Sequence, residues 1–279
     1  MIQIQDFSFT YQQEARPALQ EIHLSVPEGG FVGIIGPAGA GKTTLARAIT
    51  GIIPHHYPGD FYGEVSVDGM DTIETSLTEL SRVCGTVFQD VESQIISPLV
   101  EDELLYGLEN FGVAREEIPL RVEEALRRIG IADLKDRSIS SLSGGQRQKV
   151  AIASILALKP RVLVLDEPTG ELDPRSSRQI FSLLKSLNEE LGITILVIEQ
   201  KIMLLCEFAR QLVVMNEGRI FRQGETREVL KHAEELEKLG VNCPRVTTLS
   251  RLLAEKTGEK LPVCVSVEEA EKMVRRLAE

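Results

Sequence analysis

Apolar and polar residues alternate from Ile2 to Thr10 and again from Glu21 to Val26. A period of two puts one face on a core and the other in water, so both segments are expected as half-buried antiparallel strands. Val65-Ser66-Val67-Asp68-Gly69 reads as a strand running into a tight turn. Phe31 to Ile35 is apolar without a break, the pattern of a strand covered on both faces. From Pro98 to Leu158 the period lengthens. Val122, Ala125, Leu126 and Ile129 stand at helical spacing, and Val150 to Leu158 reads as a buried helix. Strand and helix patterns alternate from Arg161 to Val214, which predicts a parallel sheet. Asn216-Glu217-Gly218 is a turn between two short final strands. The expected fold is α/β, with an antiparallel β subdomain and a helical subdomain over about residues 90–159.

Residues from about 229 onward lie beyond this core. Leu249, Leu252 and Leu253 sit at helical spacing, and Ser266-Val267-Glu268-Glu269 reads as a capping box before a helix carrying Ala270, Met273, Val274 and Leu277. The expected division is 1–228 and an extension of 229–279, too small to fold alone. The extension must pack on something: a homologous extension across a two-fold axis, favoured as a dimerisation element, or its own core.

Composition narrows the partners. The net charge of −11 over 279 residues argues against nucleic acid or an anionic membrane as the main contact. Met1 to Tyr11 alternates like a strand and lacks the apolar centre of a signal peptide. No stretch approaches the roughly 18 apolar residues that span a bilayer. Cys84, Cys206, Cys243 and Cys264 are scattered without metal-ligand spacing and read as reduced thiols.

The chemistry begins at Gly36-Pro37-Ala38-Gly39-Ala40-Gly41-Lys42-Thr43-Thr44, which fits G-x-x-x-x-G-K-[ST] between a predicted strand and a predicted helix. Glycines let the backbone wrap phosphates with its N–H groups inward, and the helix start adds its positive end. Lys42 can reach the β- and γ-phosphates of ATP, and Thr43 can hold Mg²⁺. The strand Arg161 to Leu165 ends in Asp166 and Glu167. Asp166 is placed to organise Mg²⁺ beside the loop, and Glu167 to orient or deprotonate an attacking water. Leu142-Ser143-Gly144-Gly145-Gln146 opens another helix, with Ser143 as N-cap and Gln146 completing a capping box. Two glycines there make a second anion site, which makes sense if it serves a nucleotide held by another subunit.

With these motifs in this order and spacing, the chain resembles the ATP-binding-cassette ATPases over about residues 1–228. The resemblance implies a P-loop nucleotide hydrolase core, with Leu142 to Gln146 as the signature that acts on a partner's site. It makes Tyr11 the aromatic that stacks on adenine. Gln89 becomes the glutamine that touches Mg²⁺ and senses a membrane partner, and Asp173 the aspartate that communicates across the dimer. One position departs from the family. Gln200 stands where a histidine usually contacts the γ-phosphate. Its amide can donate one hydrogen bond but cannot become a cation near neutral pH. Either it substitutes adequately, or this chain's own site is weakened, which is the favoured reading.

Soluble cassette ATPases of the chromosome-organising kind carry a long coiled coil between loop and signature. Here that interval is about a hundred residues without heptads. Translation-factor types carry two cassettes and a basic linker; this chain has one and is acidic. Val100 to Asn110, Gly51-Ile52-Ile53-Pro54-His55-His56 and the C-terminal extension resemble the ATPases of energy-coupling factor importers for vitamins and metal ions. Val100 to Asn110 would line the groove for a coupling helix, and His55 and His56 read as an ordinary loop rather than a metal site. That resemblance implies ATP and Mg²⁺ as cofactors and a second cassette ATPase as partner; a site weakened at Gln200 favours a heterodimer over a homodimer. It adds an integral membrane scaffold, a substrate-binding membrane subunit, and a peripheral place on the cytoplasmic face of a prokaryotic membrane. A conventional importer ATPase is the alternative, and a soluble cassette ATPase outside transport a more distant one.

Overall fold

A computed structural model describes residues 1–278. Two sheets organise it. β1 (Ile2–Tyr11), β2 (Leu19–Val26), β4 (Gly59–Val67) and β5 (Met70–Asp71) form an antiparallel sheet in the order β2-β1-β4-β5. The central sheet runs β10-β9-β3-β8-β7-β6, built from β3 (Phe31–Ile35), β6 (Cys84–Val87), β7 (Val162–Asp166), β8 (Thr194–Ile198), β9 (Gln211–Asn216) and β10 (Arg219–Glu225). Its pairings are parallel except for the β9–β10 hairpin at the edge. The unbroken apolar strands are buried over their whole length, as two-sided cover demands.

Successive side chains of these strands serve two different cores. Ile34, Val164, Leu196 and Val213 face the antiparallel sheet, with Phe7, Phe9 and Leu45. Ile35, Leu163, Leu165 and Val197 face the other way, onto Ile180, Phe181 and Leu184 of the Pro174–Leu191 helix and onto the helical subdomain. In that subdomain Val122, Ala125, Leu126 and Ile129 form the buried stripe of the Ile118–Ile129 helix, and Val150 to Ala153 are buried in the Gly144–Ala157 helix.

The C-terminal region divides. Val229, Leu230, Leu236, Val241 and Val265 belong to the main core, so the expected boundary at 229 falls inside the Thr226–Leu230 helix. Cys264, Ala270 and Met273 make a small separate cluster between the Arg245–Thr257 and Val267–Ala278 helices. Leu249, Leu252 and Val274 point outward, 40%, 51% and 42% exposed. The capping box expected at Ser266 is only half formed. Ser266 Oγ accepts from the Glu269 N–H at 3.2 Å, but the Glu269 carboxylate takes the Val265 N–H and pairs with Arg227. The bidentate Arg227 guanidinium fixes the Glu269 carboxylate where it meets the Val265 N–H instead of the Ser266 N–H.

Candidate functional site

The parallel strands all end on one side, and the loops there carry the chemistry, as in other open α/β sheets. The loop Gly36–Gly41 joins β3 to the Lys42–Ile49 helix. Gly41 is the N-cap, at φ 95°, and no side chain caps that helix. Its first N–H groups therefore stay open toward an anion. A Cβ on Gly41 would meet the Ala18 carbonyl at 2.7 Å, and one on Gly36 the Met215 carbonyl at 2.2 Å, so both positions require glycine. Lys42 is 7% exposed, and its Nζ donates to the Gly36 and Pro37 carbonyls at 2.9 Å each. Burial lowers its pKa, against the opposing charges of Glu167 and Asp166.

Asp166 ends β7 and is 6% exposed. Burial raises its pKa above the usual carboxylate range; a hydrogen bond from Thr43 opposes this, the Glu167 charge adds to it, and Lys42 and Arg47 offset part. Its Oδ1 is buried with no hydrogen-bond partner in the protein. Glu167 follows in the left-handed region, at φ 49°. That conformation is costly for a residue with a Cβ, and it turns the side chain back over the cleft. Gln89, beyond β6, donates from Nε2 to Glu167 Oε2 at 3.0 Å. Gln200, beyond β8, donates from Nε2 to Glu167 Oε1 at 2.6 Å.

Tyr11 closes the side of the cleft. Its hydroxyl shares a hydrogen bond with Thr44 Oγ1 at 3.1 Å and accepts from Arg47 at 3.1 Å. Its ring meets Phe9 and Tyr57 edge-on. Tyr11, Lys42, Thr44, Gln89 and Gln200 line a cleft of about 850 Å³ with Ala38, Gly39, Ala40, Thr43 and Glu167; Asp166 and Arg47 line the adjoining pocket, which Thr43 and Gln89 share. Arg16, Gln20, Glu217 and Gly218 line the cleft too. Periodicity did not point to them: Arg16 lies in the loop between β1 and β2, and only the sheet packing brings that loop to the phosphate loop.

The signature stands apart. None of residues 142–146 lines the cleft. Ser143 caps the Gly144–Ala157 helix: its Oγ accepts from the Gln146 N–H at 3.3 Å, and Gln146 Oε1 accepts from the Ser143 N–H at 2.9 Å. The buried Leu142 anchors this turn, while Ser143 and Gly144 are exposed. Asp173 caps the Pro174–Leu191 helix, accepting from the Arg175 and Ser176 N–H groups and from Ser176 Oγ. The two helix starts are neighbours, since a Cβ on Gly145 would stand 3.4 Å from Ser176. His55 bonds to the Thr72 carbonyl at 3.1 Å, and among the described residues no group of three His, Cys, Asp or Glu gathers as a metal cluster. Cys84, Cys206 and Cys264 are buried free thiols, and burial pushes the Cys84 thiol up to about 12.

Residues 19–170 match the family model described as ABC transporter. The chain belongs to the ABC transporter ATPase family. A provisionally named ABC transporter ATP-binding protein of Pyrococcus abyssi is 42% identical over 244 residues, 88% of this chain and 87% of that one. A Methanosarcina acetivorans protein of the same description is 41% identical over 256 residues, 92% of this chain but 40% of its own length. Among solved structures, CbiO1 of Clostridium perfringens, described as part of the ABC transporter complex CbiONQ, superposes with a TM-score of 0.76 at 34% identity, covering 89% of this chain and 97% of that one. The cassette MJ0796, solved as a dimer in a post-hydrolysis state with ADP and Pi, superposes with a TM-score of 0.70 at 29% identity, covering 81% and 99%. The chain is thus an ATPase with the cassette fold. Among its described residues no helix is long and apolar enough to cross a membrane.

Proposed function

We propose that this cassette is the ATP-binding and ATP-hydrolysing motor subunit of an energy-coupling factor type importer for vitamins or transition-metal ions. It works as a head-to-tail dimer beneath a membrane scaffold, as a peripheral subunit on the cytoplasmic face of a prokaryotic membrane. The observation that carries the dimer is the separation of the two anion sites. The phosphate loop, Glu167, Gln89 and Gln200 share one cleft, with Asp166 in the adjoining pocket that Thr43 and Gln89 also line, while the Ser143 helix start lies outside the cleft. A second cassette whose signature closes over this cleft completes the site, and this chain's signature completes the partner's. The dimeric MJ0796 cassette supports that arrangement.

The likeness to CbiO1 supports the subgroup. So does the surface beside the Val100–Asn110 helix, where Phe88, Ile96, Leu99 and Tyr106 are 41%, 65%, 38% and 47% exposed. Apolar side chains held out this way suit a short amphipathic helix of the membrane scaffold.

The cleft fits ATP with Mg²⁺. The orphaned buried Oδ1 of Asp166 is the kind of oxygen a hard cation takes, and Thr43 and Gln89 line the same pocket. When bound, the ion neutralises charge on the phosphate oxygens. Lys42 and the loop N–H groups hold the β- and γ-phosphates, and Tyr11 stacks on the base. Glu167 orients the attacking water and takes its proton. Gln200 meets the γ-phosphate with a neutral amide, which weakens this chain's own site and favours a heterodimer with a related cassette that retains histidine there. The Methanosarcina acetivorans relative, of which this chain spans 40%, has the length for a second unit of this size.

Purification from native membranes through a tag on this chain tests the proposal, with every subunit identified by mass spectrometry. A second cassette, a scaffold and a small substrate-binding membrane protein are expected. Recovery with a scaffold pair and no such small subunit would instead place it in a conventional importer.

A further inference from the structure

β8 is followed by Glu199-Gln200-Lys201, and all three side chains reach the loop that follows β7. Glu199 is 1% exposed, and its carboxylate is filled by donors from both loops. Oε1 accepts from the Thr169 N–H at 2.9 Å and from Thr169 Oγ1 at 2.5 Å. Oε2 accepts from the Gln200 and Lys201 N–H groups at 3.1 and 3.2 Å. Gln200 reaches Glu167. Lys201 Nζ donates to the Thr169 carbonyl at 2.5 Å and the Leu172 carbonyl at 2.6 Å, with Ser177 Oγ at 3.5 Å. Leu172 in turn lies 3.5 Å from where a Cβ on Gly144 would stand.

The Lys201 ammonium makes two short hydrogen bonds to carbonyls here, a stabilising contact set against an unfavourable helix dipole. It sits by the first turn of the Pro174–Leu191 helix, where the dipole disfavours a cation. What the contact also achieves is geometry. It fastens the segment between Glu167 and Asp173 to the residue next to Gln200. We propose that Lys201 is a positioning residue that couples the γ-phosphate end of this chain's nucleotide cleft to its own signature helix. Phosphate drawing on Gln200 shifts Lys201, Lys201 carries the Thr169 and Leu172 carbonyls, and Leu172 adjusts the helix start offered to the partner. Each cassette thereby reports its own occupancy to the other's site. The inference rests on the proposed function, since it takes ATP as the ligand of the cleft.

Hydrogen exchange of residues 169–173 in the full chain, with and without ATP, tests the coupling. In wild type ATP is expected to slow exchange there by about tenfold, the scale of one charge-assisted hydrogen bond. Lys201→Met should bind ATP within about twofold of wild type yet lose that response. Lys201→Arg, which keeps the donors, should retain most of it. A response that persists in Lys201→Met, or is missing from wild type while ATP binds, overturns the coupling. A wild-type chain that does not bind ATP at all contradicts the proposed function instead.

Discussion

Gln200 donates its amide to Oε1 of Glu167 at 2.6 Å. Gln89 holds the other oxygen at 3.0 Å, so both oxygens of the carboxylate assigned to the attacking water are engaged by amides. A phosphate in the cleft must draw Gln200 off before Glu167 can serve the water. Gln200→His replaces this flexible amide with a shorter, ionisable donor. It should raise ATP turnover by about tenfold, below the 10²–10³ of a wholly missing transition-state donor because the glutamine supplies part of the bond. Steady-state hydrolysis by the purified chain measures this; brisk wild-type turnover that histidine does not improve would remove the argument for a weakened site.

Glu167→Gln keeps the shape while removing the base, one of the two acceptor oxygens and one negative charge facing the γ-phosphate. ATP affinity should stay within a few-fold of wild type, turnover should fall by about 10²–10⁴-fold, and the ATP-bound dimer should accumulate. Calorimetry and sedimentation read these separately, and loss of binding with no gain of dimer would contradict the role.

Asp166 ties function to stability. Burial holds its carboxyl above the usual carboxylate range, so ionisation is harder in the fold than in the unfolded chain. The folded fraction therefore carries a penalty at pH above the folded value, and that penalty disappears below the unfolded value. Asp166→Asn should raise the Tm by a few degrees at neutral pH, with the gain vanishing as the pH drops below the ordinary aspartate range, while turnover is lost at all pH values. A Tm unchanged or lowered at neutral pH would show that the buried charge is fully compensated by Thr43 and Lys42.

The C-terminal surface separates two kinds of change. Cutting the chain at 229 removes Val229, Leu230 and Leu236 from the main core and should destabilise the whole cassette by several kcal/mol. Leu249→Glu with Leu252→Glu alters only exposed positions and should leave the Tm nearly unchanged. If the extension pairs across a two-fold axis, that double variant should weaken ATP-free self-association by about tenfold or more in sedimentation; an unchanged association constant would assign the extension to its own chain alone.

The strands were legible because period and run length report cover: alternation in β1 and β2, unbroken apolar residues in β3, β7 and β8. The positions of the phosphate loop and of Asp166 were legible because they need fixed residue types at a strand end. Long-range placement was not. Helical spacing marks an apolar face without saying what it meets, which is why Val229, Leu230 and Leu236 could not be assigned to the main core. Glu269 scans as the end of a capping box until Arg227, distant in sequence, claims it. Arg16 and Lys201 carry no periodic signal at all, and only packing shows what they reach.

The claim that the active site is shared between two chains is tested most directly by Ser143→Arg. Ser143 caps an exposed helix start outside its own cleft, so an arginine there blocks the partner's nucleotide and not its own. The isolated variant should bind ATP as wild type does, while turnover of the assembled complex falls by at least about 10²-fold. Loss of ATP binding in the isolated chain, or undiminished turnover in the complex, would contradict a site completed in trans.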